Sequence, residues 1–114
     1  EFEALPDVIC ELTGLIELRA SDNRLGRLPD CIGSLVTLRE LHLRNNRLTS
    51  LPASVGHLQS LRQLDLRGNP ITHVPPGLLE LPRLEKLDLR WITTLSLPET
   101  SIERLEARGC AVYR

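Results

Sequence analysis

Methionine is absent from this chain of 114 residues, phenylalanine, tryptophan and tyrosine occur once each, and cysteine occurs three times. There is no excess of either charge: 14 basic residues face 15 acidic ones, for a net charge of -1. That balance argues against a nucleic-acid module, which usually carries a basic excess. Leucine is abundant but never continuous, so no run of about 18 apolar residues is present to cross a bilayer as a helix. An odd number of cysteines leaves at least one thiol unpaired. No CxxC or CxxxH spacing suggests a zinc site. No GxxxxGK[ST] or GxGxxG loop is present to cradle a phosphate, and Gly68-Asn69-Pro70 reads as turn chemistry.

The chain is instead built on repetition. Three consecutive 23-residue blocks, Leu15 to Thr37, Leu38 to Ser60 and Leu61 to Arg83, overlay without a gap. Each places leucine or alanine at positions 1, 4 and 6 (Leu15, Leu18, Ala20; Leu38, Leu41, Leu43; Leu61, Leu64, Leu66). Each has asparagine at position 9 (Asn23, Asn46, Asn69) and later an apolar residue followed by proline. A fixed period of this length is the mark of a solenoid, in which no unit is stable alone and stacking builds the core.

The pattern LxxLxLxxN followed by LPxxIxxL resembles the leucine-rich repeat, and its leucine-proline step is similar to the 23-residue intracellular subclass. Ras-binding scaffolds, plant Ras-group repeat proteins and many bacterial repeat proteins share it. The resemblance implies an α/β solenoid with a parallel concave sheet, a cytosolic protein-binding role, and small GTPases or other signalling proteins among the partner classes. Secreted members carry terminal disulfide caps. Cys10, Cys31 and Cys110 lie inside the repeat frame instead, so a reducing, cytoplasmic location is expected.

The reading is one domain over 1–114: a partial first repeat at 1–14, repeats at 15–37, 38–60 and 61–83, and a divergent coil with a C-terminal cap at 84–114. Counted back from Leu15, the first coil lacks its strand, which suggests a fragment or a missing cap, with Glu1-Phe2 a cloning remnant. Its exposed apolar edge is expected to promote self-association. Leu-x-Leu segments read as short strands with inward leucines. Proline at positions 29, 52 and 75 fixes a turn into a convex 3₁₀ or short α segment. Asn23, Asn46 and Asn69 should form a buried ladder that satisfies backbone groups of the turns.

The fourth block keeps Leu84, Leu87 and Leu89 but has Ile92 in the ladder position and Thr94 in place of a leucine. Two frames fit the tail. One continues a strand through Ile102, Leu105 and Ala107. The other, preferred, runs a helix from an N-cap at Thr100, with Glu103 completing a capping box, to Gly109. It then places Cys110 and Val112 at positions 4 and 6 of a last strand.

Concave positions are free of framework demands. Position 7 runs Ser21, Arg44, Arg67, Arg90 and, in that frame, Tyr113; position 8 brings Trp91 next to Gly68. Asp65 and Asp88 stack at position 5, but each has an arginine two residues on, so a self-neutralised face is preferred over a metal site. His42, His57 and His73 are spread over strand, convex and turn positions, and Cys110 reads as a core thiol. Catalytic, cofactor and metal sites are therefore not expected, and no nucleic acid or membrane partner. The candidate protein-binding residues are Arg67, Arg90, Trp91 and Tyr113, with Arg44 and Lys86 at the margin. The alternatives are a recognition fragment of a larger ubiquitin ligase, kinase or GTPase, and a structural spacer.

Overall fold

The computed structural model describes residues 3–114; Glu1 and Phe2, the pair read above as a cloning remnant, lie outside the described residues. Five three-residue strands form one parallel sheet in chain order: β1 (Glu17–Arg19), β2 (Glu40–His42), β3 (Gln63–Asp65), β4 (Lys86–Asp88) and β5 (Ala111–Tyr113). Each of the first four strands is preceded by a 3₁₀ segment, at Asp7–Glu11, Asp30–Ser34, Ala53–His57 and Pro76–Glu80. A helix, α1 (Glu99–Ala107), precedes the fifth. The parts alternate as a leucine-rich repeat solenoid requires.

The register follows the 23-residue count: Leu18 lies opposite Leu41, Leu41 opposite Leu64 and Leu64 opposite Leu87. Alternation along each strand sends these leucines inward, where Leu41, Leu64 and Leu87 are buried, and turns their neighbours to the concave side. Leu25, Leu35, Leu48, Leu58 and Ile71 fill the layer between sheet and convex turns with no exposed surface. On the convex side the turns pack tightly. A Cβ on Gly33 would lie 2.3 Å from the backbone oxygen of Ser54, so only glycine permits that approach.

Asn46 and Asn69 join each coil to the one before. Asn46 Nδ2 donates to the carbonyls of Ala20 and Leu43, both at 2.9 Å, and its Oδ1 accepts from the Leu25 amide at 3.1 Å. Asn69 repeats the pattern on Leu43, Leu66 and the Leu48 amide. Both are buried. Asn23 is half-buried, and its Nδ2 donates to the Ala20 and Ser21 carbonyls. Leaving such buried groups without partners costs about 1–3 kcal/mol.

The C-terminal cap has the helix rather than a strand over Ile102 to Ala107, with two corrections. The helix starts at Glu99 behind Pro98, which serves as N-cap with no side-chain cap bond. Thr100 therefore lies inside the first turn, and the Thr100/Glu103 capping box does not form. At the other end Gly109 takes φ +90°, the Gly109 amide donates to Glu106 and the Cys110 amide to Leu105. That is the glycine-terminated helix end expected from the sequence.

The last strand is shifted by two residues. Val112, not Cys110, lies opposite Leu87, and Tyr113 lies opposite Asp88. The Leu89 amide donates to the Tyr113 carbonyl just as the Leu66 amide donates to that of Asp88, so Tyr113 occupies position 5 rather than 7. The cause is length: a nine-residue α-helix at about 1.5 Å per residue spans more than a five-residue 3₁₀ segment at about 2.0 Å.

Cysteine use also departs from expectation. Cys10 and Cys31 form a disulfide between adjacent convex segments, with Cα atoms 5.9 Å apart, so only Cys110 is a free thiol. The cysteines were read as lying within the repeat frame rather than clustered as a terminal cap, yet a separation of 21 residues brings Cys10 and Cys31 side by side on adjacent turns.

Candidate functional site

The candidate residues lie on the concave sheet, and its C-terminal half carries a continuous charged and aromatic network. Asp65 and Asp88 face each other across β3 and β4. Arg67 Nε and Nη2 donate to Asp65 at 2.9 and 2.6 Å, and Arg67 Nε also lies 3.3 Å from Asp88 Oδ2. Arg90 repeats the fork on Asp88 at 3.0 and 2.8 Å. Each aspartate also accepts from the backbone amide of its arginine.

Burial opposes ionisation of both carboxyls, but the guanidinium and amide hydrogen bonds outweigh it and hold each below the usual carboxylate range. Asp88 is a buried charge made tolerable by two arginines. The stacking of like charges seen in the sequence is thus resolved by a laced ladder of alternating sign.

Aromatic rings lie over this ladder. The Arg67 guanidinium is 5.4 Å from the centre of the Trp91 ring. Lys86 Nζ and the Arg90 guanidinium approach the Tyr113 ring at 5.3 and 5.4 Å. These distances suit cation–π attraction. The shifted register is what puts Tyr113 opposite Asp88, between Lys86 and Arg90.

Trp91 occupies an unusual backbone position. Asp22, Asn45, Gly68 and Trp91 share position 8, and all have left-handed φ, at 60°, 57°, 70° and 65°. Aspartate, asparagine and glycine visit that region readily, whereas a bulky side chain there costs about 1–2 kcal/mol. Trp91 is nevertheless 65% exposed, so it does not fold inward to fill the place of the missing asparagine. Ile92 is half-buried there instead, and Thr94 Oγ1 donates to the Ile71 carbonyl at 2.5 Å, which ties this coil to the preceding one.

Beside Trp91 the divergent coil leaves a hollow of about 290 Å³, lined by Leu89, Ile92, Leu95, Leu97, Ile102 and Arg114 among others. Sequence columns could not reveal it, because it arises where α1 meets a coil without its asparagine. Arg114 at its rim pairs with Glu99 at 2.9 Å.

Arg67, Lys86, Arg90, Trp91 and Tyr113 are therefore brought together. Arg44 lies at the margin of this group, with its Nη2 3.8 Å from Asp22 and its Nε without a hydrogen-bond partner, in a second hollow shared with Arg19, Ser21, His42, Asp65 and Arg67. Burial pushes the free Cys110 thiol above its ordinary pKa, so it is not poised as a nucleophile.

A leucine-rich repeat region model matches residues 29–107, and a second leucine-rich repeat model matches residues 14–35. The chain belongs to the leucine-rich repeat family. A leucine-rich repeat protein of Leptospira interrogans superposes with a TM-score of 0.86 at 32% identity, covering 97% of this chain and 28% of that one. The leucine-rich repeat domain of the type III effector XopL gives 0.72 at 38% identity, over 82% of this chain and 34% of that one. The chain thus spans about a third or less of either structure. A search of curated proteins gave no match. Domains of this family commonly serve protein–protein interaction, typically as non-catalytic scaffolds.

Proposed function

We propose that the concave face binds a protein partner through its C-terminal half, centred on Trp91 and Tyr113 among Arg67, Arg90 and Lys86. The observation that carries this reading is Trp91 itself, a large apolar ring held exposed in a backbone conformation that disfavours it. Backbone strain of this kind concentrates where function requires it, and tryptophan and arginine are enriched among binding hot spots. The surrounding cations favour a partner surface of mixed acidic and apolar character. The Cys10–Cys31 bond supports work in an oxidising compartment over the cytoplasm.

Affinity capture from native lysate with the wild type and a Trp91→Ala, Arg90→Ala double variant identifies the partner. Calorimetry on that partner then tests the surface. Trp91→Ala is expected to lose on the order of 2 kcal/mol of affinity, whereas His57→Ala, exposed on the convex side, changes nothing. Unchanged affinity in Trp91→Ala combined with loss in His57→Ala moves the site to the other face.

A further inference from the structure

At the opposite end of the same sheet, three side chains with metal-ligand chemistry converge. Glu17 on β1 lies opposite Glu40 on β2, and His42 follows two residues after Glu40 on the same concave side. His42 Nε2 is 3.1 Å from Glu40 Oε1 and 3.8 Å from Glu17 Oε2. One ligand atom from each of the three lies within 4.8 Å of the others. All three side chains are half-buried, and they stand on hydrogen-bonded strands rather than on a loop.

The two carboxylates repel each other in this register. Arg19 forks the Glu17 carboxylate, Nε donating to Oε1 at 2.7 Å and Nη2 to Oε2 at 3.4 Å, and Oε2 also lies 3.8 Å from His42 Nε2. Glu40 has no arginine or lysine ion-pair partner among the described residues; His42 is its ion-pair contact. With a neutral imidazole the group, Arg19 included, keeps one negative charge. In the Asp65 and Asp88 pair both stacked carboxylates are matched by an arginine fork, whereas here Glu17 is and Glu40 is not.

We propose that Glu17, Glu40 and His42 bind a single first-row divalent cation, zinc by preference. Zinc accepts imidazole nitrogen and carboxylate oxygen at about 2.0–2.2 Å, which sets tetrahedral ligand atoms about 3.3 Å apart. The observed spacings of 3.1 and 3.8 Å from His42 Nε2 bracket that value. One nitrogen with two carboxylates suits zinc better than calcium or magnesium, which take six or more oxygens. Arg19 orients Glu17 from behind. His42 also lines an adjoining hollow with Arg19, Ser21, Arg44, Asp65 and Arg67, and its arginines suit water or a partner's acidic side chain at the remaining coordination position.

The test uses the untagged full chain titrated with zinc chloride by calorimetry, and with cobalt(II) followed by the visible bands of tetrahedral coordination. One-to-one saturable uptake is expected. His42→Ala and Glu40→Gln each weaken it by about tenfold or more, while His57→Ala binds as the wild type does. Thermal melts of the metal-free proteins establish that the variants are folded. Absence of saturable uptake by the wild type, or either site variant binding within tenfold of it, overturns the proposal.

Discussion

The first and last coils of this chain are fastened to the stack by different means. At the N-terminal end the first coil has a 3₁₀ segment, Asp7–Glu11, but no strand beside β1 among the described residues. It is fastened by the Cys10–Cys31 bond and by the Thr37 hydroxyl, which reaches the Thr13 and Leu15 carbonyls. These ties leave Val8, Leu12 and Ile16 exposed. At the C-terminal end α1 lays Ile102 and Leu105 onto the last coil and delivers β5 to the sheet. A covalent tie holds a coil in place without covering it, whereas a helix covers it. Covering required a longer cap and a rewritten fourth coil, and that rewriting is where Trp91, Tyr113 and the apolar hollow arise.

The largest effect is expected from the helical end. Leu105 has no exposed surface and packs with the leucine core, so Leu105→Ala should cost about 2–5 kcal/mol in urea melts. If the loss is below about 1 kcal/mol, α1 is an appendage rather than a cap. At the other end, replacing Cys10 and Cys31 by serine removes a cross-link over 21 residues, worth about 3 kcal/mol on the loop-entropy relation. Amide hydrogen exchange separates the two. Loss of the disulfide should release protection around residues 7–15 and leave β3 to β5 unchanged, whereas Leu105→Ala should release β5 first.

The fold was legible because its residues answer a periodic demand: leucine at position 4 and leucine or alanine at position 6 face inward in the first four coils, and Asn46 and Asn69 make the same four-residue bridge. Where period fails, reading fails. The count of 23 placed Cys110 opposite Leu87, but a helix that climbs more slowly per residue needed two more positions. The disulfide was invisible because the cysteines occupy different repeat positions, and only the offset of neighbouring turns aligns them. Arginine and aromatic columns pointed to the concave face, and the Asp65–Arg67 and Asp88–Arg90 pairings were visible from their spacing. The left-handed backbone at position 8 was foreshadowed by Asp22, Asn45 and Gly68, all residue types that tolerate it.

That same position supplies the smallest and most discriminating effect. In Trp91→Gly, relief of the left-handed strain returns about 1–2 kcal/mol. Against it stand the lost stacking with Arg67, about 0.5–1 kcal/mol at an exposed site, and the greater freedom of glycine in the unfolded chain, about 0.5–1 kcal/mol. The terms nearly cancel, so stability in urea melts should stay within about 1 kcal/mol of wild type. Partner affinity should fall by about 2 kcal/mol. A residue whose removal leaves the fold intact and weakens binding is held there for the partner. Destabilisation beyond about 2 kcal/mol with unchanged affinity would instead make Trp91 part of the packing around α1, and the first and last coils would then differ only in how they are fastened.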